Sequence, residues 1–312
     1  MKRRGLFIAA GVLVGLAILL AGVYFGMDRE KIELTPQTRS GLPGQFIDLP
    51  GGTTHYQWVG PAGGQVVVLV HGFSIPAYLW ERTVPALTAA GFQVLTFDLF
   101  GRGTSDRPRT AYTLDLFVRQ IDDLLSALKL DRPVDIGGLS MGGYIAAAYA
   151  NQHPTRVRRV MLLAPQVQAL GSTPGMALVT LPGFGDFLFT AYIAPVYLAG
   201  DLSDFADSTR AVRWNERYLD AMQYTGFRAA LLSTLRSMHG DPYEEYRKLG
   251  ALDRPVLLVW GEDDTTVPFE NAFGLARAIP QAELRAIPGG RHLACYEFSE
   301  QVNPALVEFL KR

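Results

Sequence analysis

Short apolar segments alternate with longer amphipathic ones from about residue 45 to the end of this chain. The apolar segments are rich in β-branched residues, as expected for strands buried on both faces of a sheet. They cover residues 66–72, 92–98, 134–138, 159–165, 255–261 and 282–289, and residues 45–49 and 53–60 could form a further strand pair. The clearest helix spans residues 114–129, where Phe117, Ile121 and Leu125 recur on one face. This alternation predicts an α/β fold with a mostly parallel sheet of roughly eight strands, covered on both sides.

The alternation is interrupted by residues 166–254, which separate two predicted strands. A segment of this length is too long for a loop, so we expect a helical cap inserted into a core formed by residues 45–165 and 255–312. Residues 171–200 within it carry Asp186 as their single charge. This stretch is either an apolar lid that accepts an acyl chain or touches a membrane, or part of a cap that buries its own hydrophobic face.

The beginning of the chain has a different pattern. Residues 5–26 are 22 positions without a charged side chain, and three basic residues precede them. A helix of this length spans a ~30 Å hydrocarbon layer, whereas a cleaved signal peptide has an apolar region of about 7–15 residues and a small-residue cleavage site. We therefore expect residues 1–26 to be an uncleaved membrane anchor, joined to the core by a polar linker at 27–44. The slight excess of positive charge before the span favours a location of the rest of the chain on the non-cytoplasmic side.

Charge and cysteine content narrow the function classes further. The formal net charge is −1, and no basic run interleaved with aromatic residues follows residue 30. We therefore expect no nucleic-acid partner. Cys295 is the single cysteine, so the chain can form no internal disulfide.

A serine surrounded by glycines is the first candidate for chemistry. Residues 138–142, "GLSMG", fit the pattern G-x-S-x-G, follow a predicted strand and precede a helix-forming stretch. A serine on such a sharp strand-to-helix turn projects its hydroxyl above the sheet, and small residues two positions away on each side let nearby backbones approach. Ser140 is therefore our candidate nucleophile.

A serine hydroxyl is a weak nucleophile until a base takes its proton. Among five histidines, His292 lies just after the last predicted strand, and catalytic groups of open α/β sheets gather at the carboxyl ends of strands. An acid must orient the imidazole and stabilise its charge. Asp264 is our choice and Asp263 the alternative, since both follow the preceding strand in "WGEDDTTVP". The resulting order of serine, aspartate and histidine along the chain is the order found in open α/β sheets that carry a nucleophilic serine on such a strand-to-helix turn.

Two backbone N–H groups are candidates for an oxyanion hole. One belongs to Met141, the residue after the candidate nucleophile, and the other to Phe73 in the turn "HGFSIP" after the first long strand. Such donors each stabilise the transition state by roughly 3–4 kcal/mol.

Five stretches together resemble the α/β-hydrolase fold superfamily. They are "LVHGFSIPAYLW", "TFDLFGRGTSDRP", "IGGLSMGG", "WGEDDTTVP" and "GGRHLACYE". More narrowly, the chain looks like capped bacterial esterases and monoacylglycerol-lipase-like hydrolases. The resemblance implies a triad and an oxyanion hole at the residues already reached, and structural roles in a tight turn for Asp98, Gly101 and Gly103. Members with an aspartate nucleophile, the haloalkane dehalogenases and epoxide hydrolases, do not fit Ser140.

These features predict a membrane-anchored serine hydrolase acting on small-molecule carboxylic esters, with an apolar acyl part and with no metal or organic cofactor. The same triad could instead serve an amidase, a lactonase, a perhydrolase or a carbon–carbon bond hydrolase, because the fold does not name the substrate. A non-catalytic anchored binding protein is the alternative from another class. The oligomeric state is left open.

Overall fold

The computed structural model of the chain describes residues 2–170, 178–193 and 201–312. Within them the predicted α/β fold is confirmed, because eight strands form one sheet in the order β1-β2-β4-β3-β5-β6-β7-β8. The strands are β1 Gln45–Leu49, β2 Gly52–Val59, β3 Val66–Val70, β4 Gln93–Phe97, β5 Val134–Leu139, β6 Val157–Leu163, β7 Val256–Gly261 and β8 Ala282–Ile287. The pairs β1–β2 and β2–β4 are antiparallel, and the others are parallel.

The central strands are apolar because both faces of the sheet are covered. Every residue of β3, β5 and β7 is buried, which explains their continuous hydrophobic runs. Strand β6 ends at Leu163, two residues before the predicted end, because Ala164 has a φ of +36°. That conformation lies outside the strand region for a residue with a Cβ.

Helices cover the sheet in two groups. Helix α4 Leu114–Ala127 contacts α5 Met141–Gln152, and α3 Val84–Ala89 contacts α12 Ser299–Lys311. The helices of the core and its N-terminal extension are α1 Lys2–Met27, α2 Pro36–Arg39, α3 Val84–Ala89, α4 Leu114–Ala127, α5 Met141–Gln152, α10 Glu270–Ala278, α11 Ala294–Glu297 and α12 Ser299–Lys311. The apolar stripe predicted for residues 114–129 is the buried face of α4.

The segment between β6 and β7 contains helices in its described parts. These are α6 Phe184–Leu188, which continues as a π-helical turn over Phe189–Ile193, then α7 Ala211–Ala221, α8 Phe227–Ser237 and α9 Pro242–Gly250. Helix α9 packs against α5 and α10. Of the apolar stretch 171–200, the parts 171–177 and 194–200 lie outside the described residues.

The N-terminal helix α1 contains an apolar window, Ala10–Met27, with a mean hydropathy of 2.2 and no burial against the protein. It is long and apolar enough to cross a membrane, and a signal sequence at the start of a chain has the same character. The predicted linker that follows lies on the protein surface. The N–H groups of Lys31 and Ile32 donate to the carbonyl of Gln223, and the buried Arg39 forms an ion pair with Asp106.

Candidate active site

Ser140 lies in the sharp turn between β5 and α5. Its φ of +54° and ψ of −122° are strained for a residue with a Cβ. Its N–H donates to the carbonyl of Leu163 and its own carbonyl accepts from the N–H of Gln166, both at 3.0 Å. These bonds hold the strained turn against β6. They present a half-buried serine at the carboxyl end of the sheet, at the N-terminus of a helix.

The glycines of the motif let three backbone segments approach this turn. A Cβ at Gly138 would collide with the backbone of Gly142, and a Cβ at Gly142 would collide with the carbonyls of Val70 and His71. The turn after β3 therefore packs directly against the serine turn. A larger residue at Gly142 would push the two turns apart, and one at Gly138 would displace the start of α5.

His292 and Asp264 meet at the same edge of the sheet. Asp264 follows β7 and His292 follows β8, and these parallel strands are neighbours, so their carboxyl ends lie together. The Nδ1 atom of His292 lies 2.9 Å from Oδ2 of Asp264, and both side chains are buried. Since an ionised carboxylate only accepts hydrogen bonds, Nδ1–H donates, and the opposite ring nitrogen, Nε2, is the proton acceptor whenever the ring is neutral.

The structure distinguishes the two candidate acids. The second oxygen of Asp264, Oδ1, accepts from the N–H groups of Thr266 at 2.9 Å and Val267 at 2.8 Å, which fixes the carboxylate. Asp263 is exposed, and its N–H binds the carbonyl of Gly290. The imidazole is therefore oriented by Asp264, the acid preferred from the sequence.

The turn after β3, which carries the predicted second anion donor, lies beside the serine turn. Gly72 lies against the serine turn, because a Cβ placed on it would be 3.6 Å from that of Ser140. Among the described residues, no acceptor takes a hydrogen bond from the backbone N–H of Phe73 or of Met141. Both N–H groups are thus available to a ligand atom near the serine hydroxyl.

His71 is a buried part of this turn. Its Nε2 accepts from the N–H of Leu99 at 2.9 Å, so Nδ1 carries the proton and donates to the carbonyl of Gly72, also at 2.9 Å. Complete burial lowers the pKa of His71 to about 4. The ring is therefore neutral near pH 7, and its geometry ties β4 to the turn after β3.

Arg102 is a residue of this site that our sequence analysis missed. Its Nε donates to the carbonyl of Phe73 at 2.8 Å, and its Nη2 donates to the hydroxyl of Thr234 in α8 at 2.9 Å. The side chain is fully buried, burial lowers its pKa to about 9, and no carboxylate among the described residues pairs with it. Arg102 therefore links the turn after β3 to the cap. The sequence feature that could have indicated this role is the position of Arg102 between two glycines, in the motif "GRG" at residues 101–103.

A second buried histidine–carboxylate pair has a structural role. His55 Nδ1 lies 2.8 Å from Oδ2 of Asp98, and the same carboxylate accepts from the N–H groups of Ala77 and Thr104. Burial opposes ionisation of Asp98, but the charge and hydrogen bond of His55 outweigh it and lower the pKa of Asp98 to about 2. Asp98 thus organises the tight turn after β4, as the resemblance implied.

The cap reaches the loops that carry His292 and Asp264. The N–H of Leu293 donates to the carbonyl of Asp204 at 3.2 Å, and the carboxylate of Asp204 binds the hydroxyl of Thr266. Phe205, next in the chain, is buried against Trp214, with ring centroids 5.4 Å apart. An apolar, aromatic part of the cap therefore lies beside the histidine loop.

An eight-stranded sheet with a serine elbow and a histidine–aspartate pair at its carboxyl edge defines an enzyme, a hydrolase of the α/β type. A family model described as the α/β-hydrolase fold matches residues 65–299. The chain belongs to this family.

Relatives within the family differ in the reactions for which they are named. A 2-hydroxy-6-oxononadienedioate/2-hydroxy-6-oxononatrienedioate hydrolase of Burkholderia vietnamiensis is 30% identical over 83% of this chain and 91% of its own length. An AB hydrolase superfamily protein of Bacillus subtilis is 28% identical over 79% of this chain and 91% of its own length. The crystal structure of the enol-lactonase from Burkholderia xenovorans superposes with a TM-score of 0.73 at 22% identity. The superposition covers 86% of this chain and 100% of the enol-lactonase chain.

Proposed function

We propose that this protein is a serine hydrolase that cleaves carboxylic esters with an apolar acyl part. The observation that carries the proposal is the hydrogen bond between His292 and Asp264, at the same sheet edge as the strained turn of Ser140. The apolar acyl part is supported by the aromatic side chains of the cap beside the histidine loop, Phe205 and Trp214.

Acylation uses all five predicted residues. The Oγ atom of Ser140 attacks the ester carbonyl carbon while Nε2 of His292 takes the hydroxyl proton. Asp264 stabilises the imidazolium that forms. The developing negative charge on the carbonyl oxygen is bound by the N–H groups of Phe73 and Met141.

The tetrahedral intermediate formed by this attack then collapses to an acyl-enzyme, which water hydrolyses. His292 gives its proton to the leaving oxygen, the carbon–oxygen bond breaks, and an alcohol departs from an acyl-enzyme on Ser140. Water attacks the acyl carbon as His292 takes its proton. The second tetrahedral intermediate collapses, its bond to Ser140 breaks to release the carboxylic acid, and His292 returns its proton to the serine oxygen.

Labelling with a fluorophosphonate tests the nucleophile. Wild type and Ser126→Ala, an exposed serine on α4, should label equally, and Ser140→Ala should not label. Turnover of p-nitrophenyl esters of increasing chain length should rise from acetate to longer acyl groups and be lost in His292→Ala. Equal labelling of Ser140→Ala would refute the nucleophile, and full turnover by His292→Ala would refute the base.

Carbon–carbon bond hydrolysis is the second candidate. It is favoured by the named reaction of the 30% identical relative from Burkholderia vietnamiensis. Comparing kcat/KM for p-nitrophenyl butyrate, a matched amide, a lactone and 2-hydroxy-6-oxononadienedioate discriminates the two. Turnover of the dienedioate faster than that of every ester would replace our first candidate.

We propose further that α1 is an uncleaved membrane anchor with the catalytic body on the non-cytoplasmic side. The support is its apolar window, Ala10–Met27, which is not buried in the protein. Carbonate-washed membranes should retain the chain, and its mass should include the N-terminal residues. Release by carbonate, or a mass that lacks α1, would contradict the anchor.

A further inference from the structure

Residues 28–32, which we term the strap, connect the end of α1 to the cap. The carboxylate of Glu30 accepts from the N–H groups of Gly226 at 2.8 Å and Arg228 at 2.7 Å. Gly226 is the N-cap residue that precedes α8 and has no side chain with which to cap it, so Glu30 accepts from N–H groups at the start of that helix. The strap also forms backbone bonds, from Ile32 N–H to the carbonyl of Gln223 at 2.9 Å and from the N–H of Thr225 to the carbonyl of Ile32 at 2.8 Å.

Arg228 joins the strap, the end of α1 and a second part of the cap. Its guanidinium pairs with Asp28 at 2.9 Å and with Glu30 at 3.1 Å. It also donates to the hydroxyl of Thr190 at 2.6 Å and lies over the ring of Tyr24, 5.3 Å from its centroid. The side chain is only 12% exposed. Such a shielded network of two carboxylates and one guanidinium resists separation more than an exposed pair does.

No residues separate the end of α1 from the strap that binds the cap. The apolar window of 18 residues ends at Met27, and the strap begins with the next residue. At ~1.5 Å per residue the window is about 27 Å long, close to the thickness of a hydrocarbon layer. The chain would therefore leave the bilayer near Met27 and bind the cap immediately.

The cap presents exposed apolar side chains close to this point. Four of them form what we term the cap patch, with exposed fractions of 48% to 63%: Leu178, Leu181, Phe184 and Tyr192. The patch belongs to the same cap segment as Thr190, which Arg228 binds, and α1 contacts the turn Phe189–Ile193 directly. The nearby charge of Asp186 is paired with Arg236 at 2.9 Å.

We propose that the strap holds the cap against the bilayer that α1 spans and that the cap patch lies in the lipid interface. The continuity of the patch with the apolar surface of α1 argues for lipid as its occupant. Aromatic residues near the helix end, Tyr24, Phe25 and Tyr192, suit that depth, because tyrosine favours the membrane–water interface. The inference rests on the proposed anchor and does not require ester cleavage.

Site-specific labelling with an environment-sensitive nitrobenzoxadiazole dye tests the proposal without any turnover. The native thiol of Cys295 is buried and its pKa is raised by burial to about 12, so it will not compete for the label. The labelled variants are Phe184→Cys and Tyr192→Cys, with Phe273→Cys as the matched control. Phe273 is 51% exposed and lies on α10 of the core, outside both the cap patch and the strap.

The full chain is reconstituted into phosphatidylcholine vesicles that contain nitroxide-labelled lipid. We expect quenching at positions 184 and 192 to exceed that at 273 by about twofold or more, as for a segment in the interface. Quenching no greater than at the control overturns the proposal. The dye is also measured on the protein in detergent at increasing protein concentration. If the dye becomes more shielded from solvent as the concentration rises, a second copy of the chain covers the patch, and the lipid assignment is overturned.

Flotation of the vesicles separates the possible failures. If the chain does not float with lipid, α1 is not an anchor and this proposal falls with it. If it floats but the cap labels are not quenched, the anchor stands and the cap contact falls. Glu30→Ala should retain flotation and lower quenching at position 184, while unchanged quenching in Glu30→Ala would overturn the role of the strap.

Discussion

Replacing Asp135 by asparagine should stabilise this protein at neutral pH. Asp135 lies in β5, the strand that leads to the serine turn, and its side chain is completely buried. The nearest cationic atoms are Nε of Arg158 at 3.4 Å and Nη1 of Arg159 at 4.0 Å. Burial raises the pKa of Asp135 from 3.8 to about 6, because the two arginines offset only part of the desolvation.

The magnitude and its pH dependence follow from the two pKa values. The folded protein holds the proton more tightly than the unfolded chain, so ionisation destabilises the fold as pH rises from 3.8 and does so fully above about 6. The difference between these two pKa values corresponds to about 3 kcal/mol at pH 8 and to about 1 kcal/mol at pH 4.5. The amide of the Asp135→Asn variant carries no charge and escapes this loss.

Thermal unfolding of the full chain in detergent measures the effect. At pH 8 the variant should unfold roughly 5–10 °C above wild type, and the gap should narrow towards pH 4.5. Asp131→Asn, which alters an exposed carboxylate before the same strand, serves as the control and should change little. A variant no more stable than wild type at pH 8, or a gap independent of pH, would refute the reasoning.

Three further predictions concern the site. Asp264→Asn should lower kcat by about three to four orders of magnitude, because the amide no longer orients and stabilises the imidazolium, whereas Asp263→Asn should stay near wild type; similar kcat losses in both would contradict the assignment of the acid. Arg102→Met should lower kcat by about 10- to 100-fold with less effect on KM, since it releases the carbonyl of the turn that holds the oxyanion donor, and an unchanged kcat would argue against this role. Gly142→Ala should lower the free energy of unfolding by about 1–3 kcal/mol, because its Cβ meets two carbonyls; an unaltered midpoint in thermal unfolding would show that the turn can move apart.

Much of the fold could be predicted from the sequence because a buried parallel strand leaves a strong local signal. The run "VVVLV" of β3 is apolar at every position, whereas a strand with one face exposed to solvent would alternate apolar and polar residues. The serine turn was equally local, since the glycines, the strand before it and the helix after it are adjacent in the chain. Chain order also restricted the partners of Ser140 to groups that follow later strands.

Other features depended on long-range contacts that leave no local pattern. Asp263 and Asp264 are adjacent and chemically identical, so the sequence alone does not distinguish them. Only the folded structure shows that Asp264 is buried beside the imidazole of His292. Arg102 was not singled out from the sequence, because its partner Thr234 lies far away in the chain. The strap read as a linker, because Glu30 is polar and its acceptor role exists only once α8 has docked against it.

The strap also determines where this protein can be cut to make a soluble enzyme for crystallisation. The obvious place is the start of the α/β core at residue 45, but that cut would remove the carboxylate that caps α8. It would also leave the largely buried guanidinium of Arg228 without either of its acidic partners. Losing one helix cap alone costs about 1 kcal/mol. A version that begins at Asp28 removes the apolar helix and keeps the bonds of Asp28 and Glu30, so the soluble enzyme should begin with the strap.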